Sequence, residues 1–505
     1  MTHQQQGDTM SSPEPEFNDA REYSSLEEVM NTLLTANGKS FRELDKTGRA
    51  LTGGNKGSLG QIIEESVLKY AINSDAEPDI RIGGTSYELK VTPLKHIKKG
   101  KQTSAKERLV IDIINYLALA DETDFESSKM WDKARNIILV YYYDDRTDKK
   151  KELRIDCRVL ASYLMAYEAD DLATIKNDWR IIRDKVASGH ADSLSESDTD
   201  YLAACTKGAN AKQLRKAPAP ADSSSPTIFA KQRAFSLKAS YMTAIARKLL
   251  NQKNEAARLP IPREQTIDQY VATKIAPYVG KSNKDIATEL QVTALPTAKS
   301  YNSSLTLAML GTSKSSIYKI EQFSKANINQ FKSVTIYPNG LPKEHMSFPA
   351  ITDEQWEEWA NPGIVWEQSF VYDFFETSKF LIMVSKSPVP YQSGHDKTKD
   401  IFTGAFLWNM PEDDIEQYVK PIWETMHTLL IEHTPLNYGI RGKNLIPGPS
   451  VNKVFHLRPH ANKGKDNGNE NDRTVMPNGE IITKQGFWLD RRYIAKIAAT
   501  RTLLH

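Results

Sequence analysis

The feature that most constrains the fold of this chain is a stretch of alternating residues around the glycine pair Gly83-Gly84. Two adjacent glycines supply the positive φ angles that a two-residue hairpin turn needs, and alternating segments flank them on both sides. If the pair forms the turn, Ile82 faces Thr85, and counting outward places Asp79 directly opposite Glu88. Directly opposed residues have Cβ atoms roughly 4.5–5.5 Å apart, and like charges at that separation are destabilising. The hairpin therefore predicts two carboxylates that need a positive partner.

Mg²⁺ is a natural partner for these carboxylates, because it is held by one or two carboxylates together with water and phosphate oxygens. Lys90 comes two residues after Glu88, so on a strand the two side chains lie on the same face. An ammonium at that position can orient a water molecule or stabilise negative charge on a pentavalent phosphate. The pattern indicates metal-dependent chemistry on a phosphodiester.

A bare Glu-x-Lys triplet more often belongs to a solvated surface hairpin, and it occurs by chance in most long proteins. Two neighbouring features favour the chemical interpretation here. Upstream, a helix with apolar residues at helical spacing carries Glu64 at the edge of its apolar stripe. Downstream, a basic stretch has the electrostatic pattern of a surface that binds a phosphate backbone. Its basic residues are Lys95, His96, Lys98, Lys99, Lys101, Lys106 and Arg108.

The order of these residues resembles that of the MutH-like endonucleases, which comprise the mismatch-repair nicking enzyme MutH and restriction enzymes that cut at GATC. The resemblance begins with Lys56-Gly57-x-x-Gly60-x-x-x-Glu64, Asp79 and Glu88-Leu89-Lys90-x-x-Pro93. It continues through Glu107, Lys133, Thr206–Lys212 and Phe235-Ser236-Leu237-Lys238, so it covers about the first half of the chain. The interval between Asp79 and Glu88 is longer than in MutH, which fits a lengthened hairpin.

The resemblance implies a catalytic set made up of Glu64, Asp79, Glu88, Lys90 and Lys133. Asp79 and Glu88 are implied to bind Mg²⁺, and Lys90 to position or activate the attacking water. Glu64 is implied to complete the metal site or support its ligands, and Lys133 to touch the scissile phosphate.

The resemblance also implies a DNA-reading loop. In the family, the loop equivalent to Thr206–Lys212 enters the DNA groove, and small residues beside lysines suit close contact with phosphates or guanine edges. As a bare loop, the segment would more simply be a solvated turn. The DNA-contacting residues expected here are Lys207, Asn210, Lys212 and Lys238.

Composition sets wider bounds on the chain. Its 505 residues suggest more than one domain, and a hydrophobic content of 39% is enough for real cores. The two cysteines, Cys157 and Cys205, form neither a disulfide framework nor a zinc-binding spacing, which favours a reducing cytoplasm. We expect no signal peptide, no membrane span and no membrane partner. The net charge of +2 does not by itself indicate a DNA-binding protein, because the basic residues are concentrated locally.

Changes in composition along the chain predict four segments. They are a disordered leader at 1–22, a MutH-like nuclease domain at 23–252, a helical connector at 253–300 and a second MutH-like domain at 301–505. The elements we predict within them include strands at 136–143, 370–375, 380–384 and 402–408, a helix at 171–189 and a mobile loop at 462–480.

An internal repeat supports the second domain. The pattern that starts at Phe235-x-Leu237 and runs to Ala246 recurs from Phe487-x-Leu489 to Ala498. Similarly, Asp170-Asp171-Leu172 before Trp179 recurs as Asp413-Asp414-Ile415 before Trp423. The Lys207 loop is matched by a loop that contains Arg458 and Lys463, which are therefore expected to contact DNA.

The repeat lacks the chemical residues of the first half. Lys332 stands where Glu88 would be, and Val334 stands where Lys90 would be. A site with neither the acidic pair nor the lysine cannot hold Mg²⁺ in the same way. We therefore interpret the second half as a copy that retains a DNA-facing loop and lacks the catalytic residues.

These observations predict an α/β fold with two tandem MutH-like domains, each a mixed sheet flanked by helices, of which the second is catalytically degenerate. The expected function is that of a type II restriction endonuclease that cuts double-stranded DNA at GATC with Mg²⁺. A second DNA site bound by the C-terminal half, and a dimer on DNA, are further expectations. The alternatives are a mismatch-repair nicking endonuclease and a non-catalytic, sequence-specific DNA-binding regulator.

Overall fold

A computed structural model describes residues 22–48, 58–70, 79–97, 102–146, 152–206, 213–252, 256–314, 316–436, 444–464 and 468–501. All structural statements below concern these ranges. All of the leader predicted at 1–22 except its last residue lies outside them. Contacts divide the chain into two compact units. Unit 1 contains residues 1–112, 124–168 and 245–252, and unit 2 contains residues 113–123, 169–244 and 253–505.

Strands and helices alternate along the described chain. In chain order, the strands are β1 Glu22–Tyr23, β2 Ile80–Ile82, β3 Thr85–Ile97, β4 Gln102–Ala105, β5 Leu109–Ile113, β6 Ile137–Tyr143, β7 Val159–Leu164, β8 Leu202–Thr206, β9 Leu214–Pro218, β10 Thr227–Lys231, β11 Arg233–Leu237, β12 Ile328–Ile336, β13 Met346–Ala350, β14 Lys379–Lys386, β15 Ile401–Trp408, β16 Phe455–Pro459, β17 Arg473–Val475, β18 Ile481–Thr483 and β19 Gln485–Leu489. The helices are α1 Leu26–Leu34, α2 Phe41–Leu44, α3 Ser58–Ile62, α4 Tyr116–Asp121, α5 Lys129–Ala134, α6 Ala169–Ala187, α7 Ala239–Leu249, α8 Ile267–Ile275, α9 Asn283–Glu289, α10 Tyr301–Met309, α11 Glu321–Lys325, α12 Asp353–Trp359, α13 Phe370–Thr377, α14 Glu412–Asp414, α15 Lys420–Ile431 and α16 Arg491–Arg501.

Unit 1 is built on a mixed sheet in the order β1-β2-β3-β6-β7. β3 pairs antiparallel with β2 and parallel with β6, and β6 pairs antiparallel with β7. The far end of β3 also pairs with β4. Residues 137–142 of β6 are all buried, as expected for a central strand covered on both faces. This unit has its own apolar core, to which α1, α3, β3 and β6 contribute Val29, Ile62, Leu89 and Ile138.

Unit 2 contains a second sheet with the same arrangement of strands. β12 pairs parallel with β14, and β14 pairs antiparallel with β15, as β3, β6 and β7 do in unit 1. The remaining elements repeat as well. The antiparallel pair β8 and β11, the hairpin of β9 and β10, and α7 are matched by β16 and β19, the hairpin of β17 and β18, and α16. The mixed α/β fold and its internal repeat are confirmed.

Of the predicted domain boundaries, the one at 252 is also a boundary between the compact units, whereas residues on both sides of 300 belong to unit 2. Residues 169–244 pack within unit 2, and buried ion pairs give the physical reason. Lys325 Nζ lies 2.8 Å from Asp171 Oδ2, and Lys379 Nζ lies 2.9 Å from Asp200 Oδ1. All four side chains are buried, so separating these residues would break ion pairs in the interior of the protein, which is costly.

Most predicted elements are present, with two corrections. The strands expected at 136–143, 380–384 and 402–408 correspond to β6, β14 and β15, and the helix expected at 171–189 is α6. The strand expected at 370–375 is wrong, because these residues form helix α13. Ser369 caps that helix by accepting the Tyr372 amide, and Val371 and Phe375 then share one buried face at helical spacing. The loop predicted at 462–480 contains strand β17, which pairs with β18.

Candidate active site

The glycine hairpin forms as predicted. Ile82 pairs with Thr85 and Ile80 pairs with Tyr87, so Gly83 and Gly84 are the two turn residues. Their φ angles are 53° and 79°, the positive values required by the turn that matches the twist of a hairpin. One position outward from Ile80 and Tyr87, the register aligns Asp79 with Glu88.

The side chains of Asp79, Glu88 and Lys90 are held at this end of β3. The Leu89 amide donates a hydrogen bond of 2.8 Å to Asp79 Oδ2, which fixes that carboxylate against the strand. Lys90 Nζ lies 2.7 Å from Glu88 Oε1, and Glu88 is only 7% exposed. A buried carboxylate needs a cation or several donors, and the ammonium supplies the cation here. The sequence prediction that Glu88 and Lys90 share a face is confirmed.

Glu64 lies on the helix that packs against β3. α3 continues into a π-helical turn over Ile63–Val67, and Glu64 is the second residue of that turn. Wider π turns inside helices often occur at functional sites, because they re-aim side chains. The Glu64 carboxylate lies beside Gly60 on the same helix. A Cβ added at Gly60 would be 3.9 Å from Glu64 Oε1.

The three carboxylates of Glu64, Asp79 and Glu88 are hard oxygen donors, the ligand type that Mg²⁺ prefers. Their chemistry fits a divalent cation. In the part of the chain that the structure describes, these carboxylates do not form one of the tight three-ligand groups that a metal ion could occupy directly. Asp79 accepts the Leu89 amide through Oδ2, and Glu88 contacts Lys90 through Oε1.

Lys133 is brought to the same end of the sheet. It lies in α5, which packs against β3 and leads into β6. The junction is fixed to β3, since the Glu88 amide donates 2.9 Å to the Asn136 carbonyl. Lys133 Nζ lies 3.3 Å from Asp112 Oδ1. Sequence reasoning missed Asp112 as the residue that holds this ammonium, because nothing near it in the sequence links it to Lys133.

The basic stretch after β3 is partly neutralised. Lys106 Nζ lies 3.0 Å from Asp144 Oδ2, and His96 Nδ1 lies 2.7 Å from Asp145 Oδ2. Arg146 also binds Asp144, and these two cations hold the pKa of the Asp144 carboxyl well below its usual range although burial opposes them. Lys95 is exposed, whereas Lys98, Lys99 and Lys101 lie outside the described residues. Part of the stretch therefore stabilises the fold instead of facing a ligand.

Comparisons with known proteins identify the family of the chain. The family described as DNA mismatch repair enzyme MutH matches residues 68–178, which include Asp79, Glu88, Lys90 and Lys133. The type II restriction enzyme Sau3AI of Staphylococcus aureus is 34% identical over 508 residues, which cover 94% of this chain and 98% of that enzyme. The chain belongs to the MutH-like family of type II restriction endonucleases. The DNA mismatch repair protein MutH of Shewanella woodyi is 25% identical over 225 residues, covering 44% of this chain and 90% of that protein.

The residues expected to carry DNA contacts in this restriction endonuclease fall into two groups. Lys207, Asn210 and Lys212 lie outside the described residues. Lys238 is described and is buried, with 1% exposure, and its ammonium donates 2.6 Å to the Thr199 carbonyl. Burial and the neighbouring Lys379 lower the pKa of Lys238 to about 7. The DNA-contact prediction for Lys238 is therefore wrong, because its ammonium points into the interior of unit 2.

The loop of the second half has a shifted register relative to the sequence comparison. Leu457 pairs with Phe487 as Ala204 pairs with Phe235, so Arg458 occupies the strand position of Cys205. By this register, His460 is the counterpart of Lys207. Arg458 lies in β16 with its guanidinium carbon 5.2 Å from the centre of the Trp488 ring.

Lys463 is exposed beyond the end of β16. It is therefore accessible to a ligand, unlike Lys238.

Among the described residues, no helix is long and apolar enough to cross a bilayer.

Proposed function

We propose that this restriction endonuclease makes Mg²⁺-dependent double-strand cuts in DNA at GATC, with its chemistry centred on the Glu88–Lys90 pair. The observation that supports this most directly is the 2.7 Å contact between Lys90 Nζ and Glu88 Oε1, at the hairpin that also aligns Asp79. The GATC sequence comes from the family resemblance and not from any residue. A cytoplasmic location is part of the same proposal.

Asp79 and Glu88 would hold the cation, with Glu64 as a third carboxylate on the neighbouring helix turn. A bound Mg²⁺ supplies positive charge for phosphate oxygens and for the nucleophile. The mixed set of acids and one lysine supports phosphodiester hydrolysis, since acids alone would repel the DNA backbone.

Lys90 orients the attacking water and stabilises the negative charge that develops on the phosphate oxygens, while the water loses a proton to solvent and the leaving O3′ gains one from solvent. The water oxygen forms the new bond to phosphorus in line with the bond to O3′, which breaks. The products are a 5′-phosphate and a 3′-hydroxyl. Lys133 exchanges Asp112 for the scissile phosphate, because a DNA phosphate can replace the carboxylate that now lies 3.3 Å from its ammonium.

Base recognition is assigned to the loop that carries Lys207, Asn210 and Lys212. Lysine can donate to guanine O6 and N7, and asparagine can pair with adenine in the major groove. Both bases occur in GATC, so the residue types of the loop fit the proposed site.

The second half is proposed to bind another copy of the site as an effector. Its strands β12, β14 and β15 repeat the arrangement of β3, β6 and β7, and at the positions that the sequence comparison matches to Glu88 and Lys90 it carries Lys332 and Val334. Arg458 and Lys463 supply positive charge near the matching loop. Two DNA-binding halves on one chain raise the effective concentration of a second site on the same DNA, and coupling between them is reciprocal. Dimerisation on DNA is the alternative use of this half.

Two other functions remain candidates. The similarity to MutH over 44% of the chain favours a nicking endonuclease, but that protein matches only part of this chain. A non-catalytic regulator is disfavoured, because the set of Asp79, Glu88 and Lys90 is complete. Incubating a supercoiled plasmid with protein and Mg²⁺ separates the three functions. Linear fragments support the restriction enzyme, nicked circles support the nicking enzyme, and a mobility shift without cleavage supports the regulator.

A further inference from the structure

A positively charged cleft lies beside β12 in unit 2. It has a volume of about 570 Å³ and is lined by four lysines, two histidines and one carboxylate. That carboxylate, Glu344, is 75% exposed at its side chain and lies 3.6 Å from Lys343. The basic lining residues are Lys299, Lys332, Lys343, Lys397, His345 and His395. Such a lining suits a polyanion.

Lys332 is the innermost cation of this cleft. Its side chain is half-buried, with Nζ 4.7 Å from the centre of the Phe348 ring and donating to the Ser347 carbonyl. Among the described residues, no carboxylate forms an ion pair with Lys332. Burial lowers its pKa to about 8, so the ammonium is still mostly charged at neutral pH. An unpaired, partly desolvated cation carries a penalty that a bound anion would remove.

The position of Lys332 in the fold gives the anion its chemical class. β12 is parallel to β14 as β3 is parallel to β6, so Lys332 lies on the strand that corresponds to the one carrying Glu88. In the sheet of unit 1, β3 is proposed to contact a DNA phosphate through a cation that its carboxylates hold. In unit 2, β12 carries a positive charge of its own, the Lys332 ammonium.

Other lining residues of the cleft are held in place by hydrogen bonds and by a contact with an aromatic ring. His395 Nε2 lies 2.8 Å from Asp400 Oδ1, and Asp400, which is fully buried, accepts the Thr335 hydroxyl at 3.1 Å. Lys343 donates to the Tyr391 hydroxyl and lies 4.0 Å above that ring. Polar groups that are already oriented lose little entropy when a ligand binds.

We propose that this cleft binds a backbone phosphate of effector DNA through the Lys332 ammonium, on the strand that corresponds to the one carrying Glu88 in unit 1. The inference rests on the proposed effector function and deepens it. It explains how the second half binds DNA without cutting it, because a lysine attracts the phosphate but brings no metal ion to activate a nucleophile. Binding by the second half therefore does not require Mg²⁺.

The test is lysine acetylation of the full-length Glu88→Ala protein, read by peptide mass spectrometry. The probe is a short duplex that carries GATC, used with EDTA and, separately, with Mg²⁺. We expect the duplex to slow acetylation of Lys332 and Lys397 several-fold in EDTA, and to leave exposed Lys284, outside the cleft, unchanged. Protection only with Mg²⁺, or none in either condition, would overturn the inference.

A second measurement separates this inference from the effector function. Lys332→Met should abolish the protection of Lys397 in EDTA, Lys332→Arg should preserve it, and Lys284→Ala should have no effect. Protection of Lys397 that survives Lys332→Met would contradict the assignment. The effector function is tested independently, by whether a two-site plasmid is cut faster than a one-site plasmid. Equal rates would reject that function even if the cleft binds DNA.

Discussion

The Leu89 amide donates to Asp79 Oδ2 across 2.8 Å, which ties the first strand of the glycine hairpin to the strand that carries Glu88 and Lys90. This bond forms only if the two-residue turn sets the register. The alignment of the proposed metal ligands therefore depends on backbone geometry at Gly83 and Gly84.

Replacing Gly84 by valine should lower stability and cleavage together. The φ of Gly84 is 79°, and a Cβ added there meets no atom within 4 Å, so the penalty comes from backbone strain alone. A β-branched residue in this conformation costs roughly 1–2 kcal/mol. Urea unfolding measures the loss of stability, and a plasmid assay measures the loss of rate. Thr85→Ser beside the turn is the control, and a fully active Gly84→Val protein would argue that the register does not matter.

Lys325→Met should strongly destabilise unit 2. Lys325 binds Asp171 at 2.8 Å and Glu321 at 2.6 Å, and it is buried. Removing one partner of a buried pair costs about 3–5 kcal/mol, because the remaining buried carboxylate loses the ammonium that neutralises it. Adding Asp171→Leu should recover much of the loss, whereas Lys399→Ala, at an exposed pair, should change little. Denaturant unfolding distinguishes these outcomes. An unchanged free energy of unfolding in the Lys325→Met protein would contradict the proposed role of the pair.

Unit 2 should lose stability as the pH falls from about 6.5 to 4. His456 is fully buried, neither ring nitrogen has a hydrogen-bond partner among the described residues, and burial lowers its pKa to about 4. His345 and Arg458 lower the pKa further, and Asp490 opposes them. The unfolded chain binds a proton at higher pH than the folded chain does, so acid favours unfolding by up to roughly 3 kcal/mol.

His456→Phe should flatten this pH dependence. Phenylalanine keeps an aromatic ring at this position but does not titrate. The free energy of unfolding between pH 7 and pH 4 should therefore vary less than in the unmodified protein. His433→Asn changes an exposed histidine and should leave the pH profile unchanged. An identical acid slope in the His456→Phe protein would show that other groups cause it.

The site was predictable from the sequence where it depends on local geometry. Gly83-Gly84 fixes the register of a short hairpin, and Glu88 and Lys90 share a face because side chains alternate along a strand. Contacts between distant segments were not predictable in the same way. Lys238 follows a strand as a DNA-contacting residue would, but its carbonyl partner, Thr199, comes from a segment far away in sequence.

The strand expected at 370–375 is wrong for a different, local reason. Phe370–Phe375 is apolar enough for a strand, but the Ser369 cap and the helical spacing of the buried residues Val371 and Phe375 favour a helix. The nuclease domain predicted at 23–252 is one continuous segment, whereas the compact units place residues 169–244 with residues 253–505, to which buried ion pairs such as that of Lys379 with Asp200 connect them.

Lys207→Ala should relax the choice of DNA sequence. If Lys207 donates to a base edge, its loss costs roughly 1–3 kcal/mol at the cognate site and less at related sites. Binding titrations on GATC and on single-base variants measure this difference at one fixed salt concentration. An equal loss on all sequences would make Lys207 a phosphate contact only.

The central claim, that the Glu88–Lys90 pair performs the cutting, is tested most directly by single-turnover cleavage of a plasmid with saturating protein and Mg²⁺. Glu88→Gln and Lys90→Met should each abolish linear product and still shift a duplex carrying GATC, because phosphate and groove contacts provide most of the affinity. Lys95→Ala, an exposed lysine on the same strand, should cut normally. Substantial linear product from either the Glu88→Gln or the Lys90→Met protein would contradict the claim and place the active site elsewhere in the chain.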